Sequence, residues 1–181
     1  INSFDTQNVT DMGLMFETWG SLTTLDLSHF NTQNVESMGG MFQGCTSLAS
    51  LNVSNFDTRN GGDMNRMFMS CNSLTSLDIT NFDTQNVTNM EGMFMLNPGY
   101  DGIKDLKLGK DFSIDSTKHP NSVFYFCSAK ISCPNSVKEN IIQFNDENEN
   151  ILDLDYITWN EAIIAQSGDG TGGKIPDAPF E

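Results

Sequence analysis

Large apolar residues recur along the first two thirds of the chain at a constant interval. Phe30, Phe56 and Phe82 are each separated by 26 positions. A fixed period of about 20–50 residues indicates a repeat architecture, in which each small unit buries its apolar face against its neighbours. The series that keep this step are Phe4, Phe30, Phe56 and Phe82; Met12, Met38, Met64 and Met90; Phe16, Phe42, Phe68 and Phe94; Asn8, Asn34, Asn60 and Asn86; and Leu22, Leu48 and Leu74. The pattern therefore predicts a solenoid.

Five copies of the repeat can be aligned, and two of them depart from the others. The fourth copy is lengthened by the segment 97–102, which contains proline and glycine and predicts a loop insertion. The fifth copy is decayed but keeps the interval of 12 positions between Phe112 and Phe124. The predicted solenoid covers residues 1–133, with copies at 4–29, 30–55, 56–81, 82–111 and 112–133.

Each copy combines two apolar patterns. Leu48, Leu51 and Val53 follow L-x-x-L-x-L, whose last two positions alternate as in a strand with one buried face. The block from Met38 to Cys45 has apolar residues at spacings that place them on one face of a short helix. We therefore predict an α/β repeat with a parallel β-sheet on one face of the solenoid and short helices on the other. The recurring asparagines are expected to stack and to bond backbone groups at the bends.

The repeat motif resembles a known family. The L-x-x-L-x-L strand followed by N-F-D-T-Q-N-V-T-N-M-E-G-M-F, residues 81–94, is similar to the BspA-like leucine-rich repeats of bacterial surface proteins. The resemblance runs from residue 4 to about 133, with departures at Gly61, Gly62, Trp19 and Asn97. It implies a leucine-rich-repeat solenoid at the cell surface or outside the cell, often within a longer adhesin-like chain that contacts host or neighbouring-cell ligands.

The remaining residues have a different composition. Residues 134–181 contain ten acidic and two basic residues, a net charge of −8. We expect residues 134–166 to form a C-terminal helical cap, because a solenoid needs an atypical unit over its last coil. The features of this predicted cap are capping boxes at Ser136–Glu139 and Thr158–Glu161, helices near 137–144 and 159–166, and an edge strand or extended turn through Ile151, Leu152, Leu154 and Tyr156. Residues 167–181 are expected to be a tail or linker.

Net charge restricts the classes of partner. The formal charge of −15 disfavours nucleic acid and anionic membranes, because both bind lysine- and arginine-rich surfaces. No apolar stretch approaches the roughly 18 residues of a membrane-spanning helix. The chain starts three residues before Phe4 without a signal peptide, and we expect it to be part of a longer chain.

Cysteines and histidines offer little support for catalysis. Cys45, Cys71 and Cys127 share one repeat position that Trp19 and Asn97 fill in other copies, which favours buried structural thiols over metal ligands. Cys127 and Cys133 are the one candidate pair for a disulfide. The two histidines, His29 and His119, lie in unrelated contexts without a neighbouring nucleophile. The pattern therefore predicts neither an enzyme nor a cofactor.

One segment resembles the start of a calcium loop without completing it. Asp146, Asn148 and Asn150 alternate as the first ligands would, but Ile151 and Ile157 replace the required glycine and glutamate. The segment therefore predicts no helix–loop–helix calcium site and leaves only a weak calcium contact open, and we assign no metal site.

The polar face of the predicted sheet is the candidate ligand-binding surface. Residues between and beside the strand leucines should point outward in regular columns. They are Thr24, Asp26, Ser28, Ser50, Asn52, Ser54, Ser76, Asp78 and Thr80. We expect contact with a host or neighbouring-cell protein or glycan. The alternative is that these residues only solubilise the sheet of a passive spacer.

Overall fold

The computed structural model describes residues 4–115, 119–148, 152, 154 and 157–160 of the chain. These residues form stacked coils, which we number 1–5 after the five predicted copies. The elements are β1 (Thr24–Asp26), β2 (Ser50–Asn52), β3 (Ser76–Ile79), β4 (Asp105–Leu108), β5 (Lys130–Ser132), α1 (Asn135–Glu147) and β6 (Thr158–Trp159). The predicted repeat solenoid is confirmed, with one short strand in each coil.

The strands pair in parallel and keep the repeat register. Leu25 lies opposite Leu51, and Leu77 lies opposite Leu106. The strands are divided between two sheets, β1–β2 and β3–β4–β5–β6, and no ladder joins β2 to β3 in the described chain. The predicted parallel sheet is therefore present, but it is interrupted between coils 2 and 3.

The core is a stack of like residues. Phe42 and Phe68 are fully buried, with ring centroids 5.6 Å apart, and Phe68 and Phe94 follow at 5.8 Å. Each coil places its phenylalanine ring over the ring of the preceding coil, because the repeat period matches one full turn of the chain. The recurring phenylalanine and methionine residues therefore form one continuous core along the solenoid axis.

The predicted short helices opposite the sheet are wrong. In the described parts of the five coils this side consists of consecutive turns, and no α-helix occurs there. Gly40 and Gly44 have φ angles of 62° and 73°, so the chain enters the left-handed region every fourth residue. Alternate amides bond to the next coil: Gly40 N donates to Asn65 O at 2.7 Å and Phe42 N to Met67 O at 3.0 Å. The backbone groups that would build a helix join coils together instead.

Threonine forms the buried bonds at the bends. Thr32 Oγ1 donates to Asp57 O at 2.9 Å and accepts from Asp57 N at 2.7 Å. Equivalent bonds join Thr58 to Asp83, so hydroxyl groups link successive coils through the core. The predicted asparagine column also bonds the bends, but it lies exposed and reaches back to the preceding coil. Its bonds run from Asn34, Asn60 and Asn86 to the carbonyls of Gln7, Gln33 and Arg59, each at 2.7 Å.

The C-terminal segment agrees with the prediction only in its first helix. Helix α1 is longer than predicted, and no side-chain bond caps its N-terminus after Pro134, so the capping box at Ser136–Glu139 is not formed. Thr158 and Trp159 form a strand that pairs with β5, so the helix predicted from residue 159 does not begin there. Leu152 and Leu154 lie in no strand. The rest of the predicted cap and the tail lie outside the described residues. These include Ile151, Tyr156 and residues 161–181, which contain the glutamate of the second capping box.

Candidate functional site

The nine predicted face residues lie together on the sheet side of coils 1–3. All are exposed except Ser28, which is half-buried. Their columns are in register in coils 1 and 2, where Thr24 faces Ser50 and Asp26 faces Asn52. The structure therefore places these side chains on one surface, as predicted.

Three of these residues also hold local turns. Asp26 Oδ1 accepts from Ser28 N at 3.0 Å, and Asn52 Oδ1 accepts from Ser54 N at 3.1 Å. Asp78 Oδ1 accepts from the backbone N of the residue two positions later at 3.2 Å. Such turns close the end of each strand and fix the side-chain direction. One oxygen of each residue is thus committed to structure, while the side chain remains on the surface.

Hydrogen bonds keep the two aspartates ionised. The backbone and side-chain bonds from Ser28 lower the pKa of Asp26 below its usual value. Partial burial raises the pKa of Asp78, but the bonds from Thr80 and Lys107 outweigh burial and leave it below the usual value. Lys107 Nζ lies 3.1 Å from Asp78 Oδ2. The surface therefore carries fixed negative charge in coils 1 and 3.

The face extends further than the sequence pattern indicated. Asp105, Lys107 and Lys130 are exposed on β4 and β5, in the columns that Ser76 and Asp78 begin. The alternation of Leu106 and Leu108 could have revealed these residues, but the insertion at 97–102 shifts the fourth copy out of the period. The face therefore carries carboxylates in coils 1, 3 and 4 and lysines in coils 4 and 5.

A cleft of about 300 Å³ opens on this face between β2 and β3. Its walls contain four of the nine predicted residues. The lining residues are Leu51, Asn52, Val53, Ser54, Asp78, Thr80 and Asn81. Leu51 is half-buried, whereas the equivalent Leu25 and Leu77 are buried. The interruption of the sheet thus exposes an apolar side chain within a polar surface.

Backbone bonds that close the other coil pairs are not formed at the cleft. Ala49 N donates to Thr23 O at 2.8 Å, and Lys104 N donates to Thr75 O at 2.9 Å. The corresponding bond from Thr75 N to Ala49 O does not occur between coils 2 and 3. The opposite side of the same coils remains bonded, with Phe42 N to Met67 O at 3.0 Å. The two coils are therefore clamped at the turns and lack backbone bonds at the sheet, where the Asn81 side chain crosses the end of the cleft to Val53 O at 3.2 Å.

The middle column of the face, formed by Asp26, Asn52 and Asp78, alternates charged and neutral side chains. Because like charges opposite each other on paired strands are destabilising, we expect Asn52→Asp, beside Asp26, to lower Tm at pH 7 by about 1–3 °C. The repulsion raises the pKa of the new carboxyl, so the loss should be present above that pKa and disappear as pH falls through it. Thermal unfolding at pH 7 and pH 4 measures this difference. Asn8→Asp, at an exposed turn beside the neutral Asn34, is the matched control; a loss of Tm that is equal in both variants or independent of pH would contradict repulsion.

The other candidate residues form no reactive group. All four cysteines are buried free thiols, and burial raises the pKa of both Cys127 and Cys133 to about 11. His29 and His119 are exposed on different coils. Among the described residues, no three histidine, cysteine or carboxylate side chains form a group that could hold a metal ion. Asn150 and Ile151 of the incomplete calcium loop lie outside that part of the chain.

The described helices include none long and apolar enough to cross a membrane. No curated protein and no solved structure matches the chain. A family model described as "Mycoplasma protein of unknown function, DUF285" matches residues 1–102 and again residues 23–129. The two overlapping matches fall on the stacked coils, as expected when a family is defined by a repeat. The chain therefore belongs to the DUF285 family.

Proposed function

We propose that this domain is a non-catalytic binding or adhesion module of a bacterial cell-surface protein, with coils of the BspA-like leucine-rich type. It contacts a protein or glycan on a host or neighbouring cell through the sheet face. The supporting observation is the cleft between β2 and β3, which brings Asn52, Asp78 and the half-buried Leu51 together on that face. Extended sheet surfaces are the usual binding surfaces of solenoid proteins.

The chemistry of the face favours weak and repeated contact. Its nine residues include no aromatic side chain, and aromatic anchors are typical of tight interfaces. Repeated small hydroxyl, amide and carboxylate groups gain strength by simultaneous contact at several coils. Multivalent binding of a cell-surface ligand fits this surface better than capture of one small molecule.

Binding to a panel of matrix proteins and glycans tests the proposal. Asp26→Asn combined with Asp78→Asn removes two face charges but keeps an oxygen for each turn bond. We expect this variant to lose at least tenfold in affinity for any ligand that the wild type binds. The control is Asp5→Asn combined with Asp83→Asn, which makes the same changes in turns away from the sheet. Equal losses in the two variants would overturn the assignment of the face.

The alternative function is a passive spacer that holds another domain away from the cell wall. The continuous coil-to-coil bonds favour it, since they give the chain a regular axial structure independent of any ligand. The same panel separates the two functions. A folded protein that binds no member of the panel supports the spacer.

We also infer that α1 closes the last coil, as the predicted cap would. Coil 5 has Ile114 where earlier coils have the bridging threonine, so it offers no hydroxyl to a following unit. Asn140 of α1 bonds the backbone at this position instead: its Oδ1 accepts from Ile114 N at 3.0 Å and its Nδ2 donates to Ile114 O at 3.1 Å. A helix side chain thus joins α1 to the last coil where the threonine bridges end.

Asn140→Leu should lower the free energy of unfolding by about 2 kcal/mol, because two polar groups of the buried Ile114 lose their partner. Chemical denaturation measures the change. Gln143→Ala, on the exposed side of the same helix, should alter it by less than about 0.5 kcal/mol. Comparable losses in both variants would indicate an effect on the helix alone and would contradict the closing role.

A further inference from the structure

We propose that the cleft between β2 and β3 receives an extended polypeptide strand, which pairs with both walls and continues the sheet across the gap. The inference rests on the proposed function, because it names the class of ligand that the face binds. The groups that would bind the strand are the backbone amides and carbonyls of the two walls rather than their side chains.

The walls present unused pairing positions of two parallel strands. In the closed pair, Leu27 N donates to Asn52 O at 3.0 Å and Ser50 N donates to Thr23 O at 3.2 Å. The corresponding bonds across the cleft, from Val53 N to Asp78 O and from Ser76 N to Ala49 O, are not formed. A strand added to an exposed edge satisfies such groups by main-chain hydrogen bonds. An extended backbone is the ligand that offers donors and acceptors to both walls at once.

The register of the flanking strands determines the side chains of the inserted strand. Its inward residues would lie beside Leu51 and Val53 of one wall and Leu77 and Ile79 of the other, which favours apolar side chains. Only Leu51 is half-buried and the other three are buried, so the walls must part to admit them. Its outward residue would lie beside Asp78 in the middle column. Strand side chains alternate between the two faces, so the preferred segment reads apolar, polar, apolar.

Charge selects a basic residue for the outward position. The Asp78 side chain is about half exposed at 51%, and Lys107 approaches it from the coil on the far side. A lysine or arginine in the inserted strand would approach the same carboxylate from the cleft. The chain as a whole carries −15, so a cationic segment is attracted and an anionic one repelled. The ligand is therefore an extended apolar–basic–apolar segment.

The chain itself contains such a segment in β4. Residues 105–109 read Asp-Leu-Lys-Leu-Gly, which supplies a probe of the required pattern. The experiment adds this peptide, acetylated and amidated, at millimolar concentration to the intact protein and follows amide hydrogen exchange by NMR. We expect exchange at Leu51, Val53, Ser76 and Asp78 to slow by at least tenfold, since these amides line the two walls.

Two control peptides separate main-chain pairing from other contacts. One carries an N-methyl group on every backbone amide and cannot donate to either wall, and the other has glutamate in place of lysine. We expect no protection from the first and at least a tenfold weaker effect from the second. Protection by the N-methylated peptide, protection at Thr24–Asp26 on the open edge of β1 instead, or no protection by the parent peptide would overturn the inference. Slow hydrogen exchange at these wall amides in the free protein would also overturn the inference, because it would mean that the amides are already protected.

Failure of this inference is distinguishable from failure of the proposed function. If matrix or glycan binding remains sensitive to Asp26→Asn and Asp78→Asn while the peptide protects no wall amide, the face binds ligands but the cleft accepts no strand. If the peptide protects the wall amides and the panel shows no binding, the cleft is a strand site and the wider adhesion proposal is wrong.

Discussion

Replacing Phe68 with alanine is expected to lower the free energy of unfolding by about 3–5 kcal/mol. Phe68 is fully buried, and its ring stacks between Phe42 at 5.6 Å and Phe94 at 5.8 Å. Because the backbone amides of Phe42 and Phe94 are hydrogen-bonded to the next coils, the two rings cannot easily close over the cavity. The loss therefore includes the transfer energy of the ring and the energy of the unfilled space. Thermal or urea unfolding of the full chain measures it.

Phe4→Ala provides the matched comparison. Phe4 belongs to the recurring phenylalanine positions but is 52% exposed on coil 1. Its removal should cost less than about 1 kcal/mol, because little area returns to water. Wild-type-like stability of Phe68→Ala would contradict the register of the stack, whatever the result for Phe4.

The stacked core and the strands could be predicted because apolar spacing alone specifies them. Leu51 and Val53 alternate in sequence, and their coils repeat every 26 residues, so the strand and its neighbours follow directly. The turn side could not be predicted in the same way. The spacing from Met38 to Cys45 fits one helix face, but left-handed conformations at Gly40 and Gly44 satisfy the same burial pattern. Apolar spacing reports which side chains are buried and not which backbone partner each amide finds.

The candidate site shows a similar division. Outward positions such as Asp26 and Asn52 follow from the alternation of the strands, and their exposure agrees with it. The cleft leaves no sequence signal, because coils 2 and 3 have nearly the same strand pattern on its two sides. It arises from backbone bonds that are absent at Ala49 and Val53, and pairing between strands is a tertiary property. The bonds from Asn140 to Ile114 could not be predicted either, because they also depend on tertiary structure.

The threonine column gives the second large expected effect. Thr58 is buried, its Oγ1 donates to Asp83 O at 2.9 Å, and it accepts from Asp83 N at 2.8 Å. Thr58→Val keeps the shape of the side chain but replaces the hydroxyl with a methyl group. Both backbone groups of Asp83 then lose their partner at the boundary between two coils. We expect the free energy of unfolding to fall by about 2–3 kcal/mol, measured by urea denaturation.

Two further substitutions isolate the hydroxyl as the cause. Thr58→Ser keeps the hydroxyl and removes only a methyl group, so it should remain more stable than Thr58→Val although it leaves more empty space. Thr88→Val removes an exposed hydroxyl that bonds Gly62 O at 2.9 Å, and it should cost less than about 1 kcal/mol because water replaces the partner. Equal stability of the valine and serine variants at Thr58 would contradict the role of the hydroxyl. A difference confined to Thr58→Val would identify the buried threonines as the polar connection that fixes the 26-residue step, since a slipped coil would leave each hydroxyl opposite the wrong backbone groups.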